Sequence, residues 1–248
     1  MNESRILSGN QLKLLAAFFM VMDHAGLMFF PHFIELRVIG RLAFPIFAFM
    51  IAEGARYTKN RLKYFSLMAS LAALCQVVYY FFDGGSLYMC ILVTFSLSLL
   101  LIFALDLFKK CLFNRKCKLP VKLLSVIPFI LSVGLVYHIN CILTVDYGFW
   151  GSMVPVFASV VSLRGTDAPT SIRRIDTLYT RVALLGVSLL PLSIDVGGIQ
   201  AYSLFAVIPL LLYSGKRGKY NMKYFFYLFY PLHLVILEGI YILLRYLK

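Results

Sequence analysis

Apolar residues run through this chain in blocks long enough to cross a bilayer, and short polar turns separate the blocks. A helix needs about 20 residues to span the hydrocarbon core. On that criterion spans fall near residues 11–31, 36–56, 63–82, 87–108, 121–141, 147–163, 178–194, 198–213 and 223–244, with the sixth and eighth the shortest. The pattern predicts an all-α, polytopic integral membrane helical bundle of about nine transmembrane helices. No polar tract is long enough to form a separate soluble unit, so residues 1–248 read as a single domain, and no internal repeat is visible.

The blocks differ in what they carry. Residues 64–82, 84–105, 123–145, 147–163 and 196–215 contain no Asp, Glu, Lys or Arg, and are expected only to pack. Spans one, two and nine are the exceptions. Residues 12–57 hold Asp23, His24, Arg37, Arg41 and Glu53 at positions where a lipid-facing helix would carry leucine, and the last span holds His233 and Glu238. An ionisable group at membrane depth is costly, about 2.5–3.5 kcal/mol even on lenient insertion scales, so such residues face the bundle interior and point to function. Pro231 and Pro45 are expected to bend their helices, Pro231 turning His233 inward.

Composition agrees with a membrane protein: 61% of residues are hydrophobic and only 14% charged. The net charge of +13 could suggest a nucleic-acid partner, but its distribution argues for none. With the N-terminus in the cytoplasm, the inner segments collect 20 of the 24 Lys and Arg residues, as the positive-inside rule requires, while the outer turns hold Asp83-Gly84-Gly85, Asp146 and Asp195-Val196-Gly197-Gly198. The first apolar run lacks a small-residue cleavage site and is interrupted by Asp23-His24, so it reads as a retained helix. Five cysteines without a CxxC pair read as thiols rather than disulfides. His138 and Cys141 stand one helical turn apart with no second pair, so no metal is expected.

Lys13, Ala17, Met20 and His24 share one face of span one, with Lys13 roughly 16 Å from His24 at about 1.5 Å per residue. His24 is the candidate general base, since imidazole both takes and returns a proton near neutrality. Asp23 points about 100° away from it, suited to a partner on another helix. Arg41, on the same face as Arg37, is that candidate, because a buried guanidinium needs a carboxylate or phosphate. His233 is either a hydrogen-bonded core residue or a catalytic or acceptor-binding one. Glu53 is expected to pair with Arg56 one turn away. Lys13 at the cytoplasmic mouth and the loop residues Lys216, Arg217 and Lys219 could hold phosphates or could act only as interfacial and topology signals. No Walker loop, GxGxxG or GxSxG occurs.

Four ordered blocks, LKLLAAFFMVMDHAG, RVIGRLAFPIFAFMIAEG, DYGFWG and LLLYSGKRG with KYFFYLFYPLHLVIL, resemble the TraX family, the membrane acetylases named for acetylation of conjugative F-pilin. That family is similar to a wider group of transmembrane acyltransferases that includes acyltransferase family three and the lysosomal heparan glucosaminide acetyltransferase. The resemblance implies transfer from cytoplasmic acetyl-CoA, used as a co-substrate. It makes His24 the catalytic histidine, Asp23 its motif neighbour, Arg41 the residue of the GRLAFP block and His233 that of the YPLH block. It implies a bacterial cytoplasmic membrane, lipid as surroundings, and an acceptor such as a pilin N-terminus, another peptide or a glycan. The residues alone also admit a proton-coupled transporter, in which Asp23, His24, Arg41 and His233 form a relay, and a non-catalytic assembly factor.

Overall fold

The computed structural model describes residues 6–82 and 87–247, so Arg5, the Asp83-Gly84-Gly85 turn and Lys248 lie outside the described residues. In chain order the helices are α1 (Gly9–Met28), α2 (Ile34–Gly40), α3 (Ala43–Tyr57), α4 (Arg61–Phe82), α5 (Ile91–Phe113), α6 (Leu119–Leu124), α7 (Ile127–Ile142), α8 (Gly148–Val160), α9 (Thr170–Arg173) and α10 (Leu178–Val196). A 3-10 helix (Gly198–Ala206), α11 (Val207–Leu211) and α12 (Lys223–Tyr246) complete the bundle. The all-α expectation holds, with isolated backbone bridges but no strand among the described residues.

Among the described residues, six stretches are long and apolar enough to cross a membrane: Gly9–Met28, Arg61–Phe81, Ile91–Phe113, Leu119–Ile142, Leu178–Val196 and Lys223–Tyr246. The other three expected spans are shorter. Span two breaks into α2 and α3 at Arg41-Leu42, and Pro45 supplies the reason. A continuous helix would need the residue 45 amide to bond the carbonyl of Arg41, which proline cannot do, and its ring would crowd that carbonyl. Pro45 therefore starts a new helix instead of bending an old one. Pro231, by contrast, lies within the unbroken α12. Span six is α8 with 13 residues, about 20 Å at 1.5 Å per residue, and span eight is the 3-10 helix followed by α11. The short α8 is buried on several sides, packed on α10, α5 and α3.

Small polar residues let these helices approach. Ser98 of α5 donates to the Ser152 carbonyl of α8 at 2.8 Å, and Lys109 of α5 donates to the carbonyls of Ser159 and Ser162 at 2.9 Å each. A buried cation thus caps the last carbonyls of a helix that ends inside the protein. At the head of α1, Ser8 and Gln11 form a capping box that fixes where the helix begins. The Gly9 and Asn10 amides donate to the carbonyls of Lys216 and Arg217 at 2.8 and 3.0 Å. That contact brings the 216–219 loop to the mouth of α1, where the site begins.

Candidate functional site

One cavity of about 950 Å³ opens between α1, α3, α4, α5 and α12. Lys13, Met20 and His24 line it together, as their shared helix face predicted. At its basic end the wall also includes Lys63, Arg217 and Lys223. Lys13 sits 5.6 Å from the Phe226 ring and Lys223 5.5 Å from that of Tyr227, so cations at the mouth lean on aromatic rings of α12. Of the predicted phosphate-binding set, Lys13 and Arg217 reach the cavity wall. Lys216 and Lys219, on the same exposed loop, do not line it.

At the other end the wall carries Asp23, His24, Arg41, Tyr88, Asp146 and Tyr147. Asp23 pairs with Arg41, as expected, and also accepts from Arg37 Nε at 3.2 Å. The approach is possible because residue 40 is glycine: a Cβ there would overlap the Asp23 side chain. Arg41 extends from the break between α2 and α3, and its Nη1 donates to the Tyr147 hydroxyl at 3.4 Å and to Gln200 Oε1 at 3.5 Å. A guanidinium in a largely buried position is thereby shared among a carboxylate, a phenol and an amide.

His24 faces His233 across the α1–α12 contact, with ring centroids 5.3 Å apart. His233 is buried, stacks on Phe229 at 5.1 Å, and its Nδ1 lies 3.0 Å from the Phe229 carbonyl oxygen. A carbonyl only accepts, so Nδ1 carries the proton and Nε2 of the neutral ring is left as a lone-pair acceptor. No partner meets that Nε2 among the described residues. The four predicted residues of the central site, Asp23, His24, Arg41 and His233, thus converge from two helices, α1 and α12, and one inter-helix break.

Two sequence expectations are corrected. Glu53 is buried and pairs with Arg181 of α10, not with Arg56, because its own helix places Arg56 toward Asp176 and Ser162, which it meets at 2.5 and 2.9 Å. Arg181, one of the basic residues counted at the inner ends of the spans, is therefore a buried ion-pair partner. The charge-free segments also do more than pack: residues 147–163 supply Tyr147, and 196–215 supply Gln200, which is 1% exposed. Both escape a search for charges because a phenol and an amide are formally neutral. Asp146 joins them at the same end, its Oδ1 accepting from Tyr88 at 2.8 Å. Burial pushes its carboxyl up to about 6, against the pull of Tyr88 and Arg41.

A multi-pass helical membrane protein with an internal cavity, cationic at one end and carrying paired imidazoles and a carboxylate–guanidinium pair at the other, is the class this fold and site define. The chain belongs to the TraX family, whose model, described as TraX protein, matches residues 8–241. It is 27% identical to the probable fimbrial assembly protein FimC, serogroup H1, of Dichelobacter nodosus, over 93% of this chain and 94% of that protein. No solved structure matches the chain.

Proposed function

We propose that the protein is an acetyl-CoA-dependent acyltransferase of a bacterial cytoplasmic membrane, with its N-terminus inside. It would move an acetyl group to an amine or hydroxyl acceptor. The observation that carries this reading is that one cavity joins the four cations at the basic end to His24 at the other. Phosphates of coenzyme A are held at Lys13, Lys63, Arg217 and Lys223 by charge-assisted contacts. The thioester arm then follows the α1 face, roughly 16 Å from Lys13 to His24 at about 1.5 Å per residue, a distance suited to an extended pantetheine arm.

His24 takes a proton from the attacking acceptor and returns it to the departing thiol. Asp23 and Arg41 fix each other beside it, and His233 offers a second base through Nε2. The fimbrial assembly named for the Dichelobacter relative supports an acceptor that is a pilus or fimbrial subunit, with a glycan as the other acceptor class. Incubating the purified protein with acetyl-labelled acetyl-CoA and a membrane extract tests the reading. Label should pass to an acceptor in the extract, and His24→Ala should prevent it. Absence of coenzyme A binding to well-folded protein would overturn the proposal.

A further inference from the structure

Tyr147 is in the left-handed backbone region, with φ 60°, and is unique in this among the non-glycine residues described. Such a conformation is unfavourable for a tyrosine and persists only where its surroundings impose it. Here three neighbours do so. Gly148 follows with φ 58°, a second left-handed residue that lets the chain turn straight into α8. Gly151, one turn on, leaves the space the tyrosine needs, since a Cβ at 151 would overlap Tyr147 Cβ. Phe44 stacks on the phenol ring at 4.1 Å and is itself stacked on Phe95 at 5.9 Å. Much of the segment DYGFWG is thus given over to aiming one side chain.

The ring is aimed at the cavity wall and at Arg41. Arg41 Nη1 donates to the Tyr147 oxygen, so the bond between them uses a lone pair of the phenol and leaves its own O–H unspent. Its hydroxyl meets no acceptor among the described residues. A neighbouring cation donating to that oxygen also polarises the remaining O–H and makes it a stronger donor. Arg41 retains a buried Nε without a partner at the same place. A rigidly held phenol donor on the wall of the cavity that also holds His24, with a guanidinium against its oxygen, is what a developing oxyanion requires.

We propose that Tyr147 is a catalytic residue whose hydroxyl, together with Arg41, binds the oxyanion formed when the acceptor attacks the acyl thioester. This rests on the acyltransferase reading and adds a residue and a role to it. The acceptor's nitrogen or oxygen lone pair forms a bond to the thioester carbon, and the carbonyl π pair moves onto oxygen. The acceptor's proton passes to His24. The oxyanion accepts from Tyr147 and Arg41, then collapses. As the carbonyl re-forms, the carbon–sulfur bond breaks, and the departing thiolate receives the proton from His24. No other reactant is needed.

Tyr147→Phe tests this, because it removes the oxygen and keeps the ring that stacks on Phe44. Turnover should fall about 100-fold, the usual order for losing one oxyanion donor, with the KM for acetyl-CoA and the melting temperature unchanged. Replacing Tyr147 with ring-fluorinated tyrosines, whose phenols donate more strongly as fluorines are added, should change turnover in step with donor acidity at an unchanged KM for acetyl-CoA. A role in packing alone would leave turnover flat across the series. If the wild-type protein transfers acetyl groups and Tyr147→Phe does so equally fast, or if turnover is flat across the fluorinated series, this assignment is wrong while the acyltransferase reading stands. A wild-type protein that binds no coenzyme A and transfers nothing would instead refute the reading beneath it. Should Tyr147→Phe not fold, the fluorinated series decides alone.

Discussion

Two buried ionic networks occupy this bundle, and they are built of the same parts. Near the basic end, Glu53 pairs with Arg181, Arg56 with Asp176, and Lys109 and Arg61 with Asp106, tying α3, α4, α5 and α10 together. At the far end, Asp23 pairs with Arg41 and Arg37, tying α1 to the α2–α3 break. Unmade hydrogen bonds do not distinguish them, since Arg41 Nε is unpartnered in one and Arg56 and Arg181 Nε in the other. Their company does. The first network closes on carboxylates, the Ser162 hydroxyl and main-chain groups such as the Leu163 amide, which Asp176 holds at 3.0 Å. Phenols stand beside both, Tyr213 and Tyr57 at the first and Tyr147 at the second, but the second is also flanked by the imidazoles of His24 and His233, groups that exchange protons near neutrality. Burying a charge pair is common to clamps and to active sites; a proton-transfer group placed against the pair is what separates them.

Stranding one cation in each network should produce the largest effects. Asp176→Ala removes both oxygens from Arg56 and should cost about 3–5 kcal/mol of stability. The molecules that still fold should transfer acetyl groups at the wild-type turnover. Asp23→Asn should cost a similar amount by stranding Arg41 and should abolish transfer as well. Adding Arg41→Met to Asp23→Asn should restore part of the melting temperature but no activity. Equal activity loss in both networks, measured per folded molecule by size-exclusion and thermal melting, would erase the distinction drawn here.

A smaller effect on folding and a large one on chemistry is expected at His24. His24→Ala removes a base but keeps a good helix former, so transfer should fall at least ~100-fold while the melting temperature and acetyl-CoA binding stay close to wild type. Full activity in that variant would shift the general base to His233. The mildest change belongs at the mouth. Lys13→Glu with Arg217→Glu should raise the KM for acetyl-CoA about tenfold or more, as expected for losing charge-assisted contacts, with less effect on turnover. Lys216→Glu with Lys219→Glu, in the same loop but off the cavity wall, should change KM little. The same rise in both pairs would mean that general field, and not the cavity wall, attracts the donor.

Much of the architecture was legible because the bilayer imposes it. A chain that must bury its backbone in lipid writes its helices as long apolar blocks, and six of these appear where the blocks lie. The central site was legible for the same reason: Asp23, His24, Arg41 and His233 stand out where every charge or imidazole is expensive. Pairing was harder to read. The 3.6-residue repeat puts Arg56 one turn from Glu53, yet the carboxylate meets Arg181, which is remote in sequence. Helix periodicity reports neighbours on one rod and nothing about the rod beside it.

The sequence by itself determined the class of protein, the approximate positions of its longest helices and which ionisable groups lie within them, because local hydrophobicity and the cost of burying charge act residue by residue. Only the tertiary structure decided which groups meet. The Asp23–Arg41 pair that Gly40 admits, the stacking of Phe44 on Tyr147 and the reach of Gln200 to the Arg41 guanidinium are each contacts between segments distant in the chain. A neutral phenol or amide costs too little to mark itself in a hydropathy pattern. It acquires its chemistry from the guanidinium that packing brings to it.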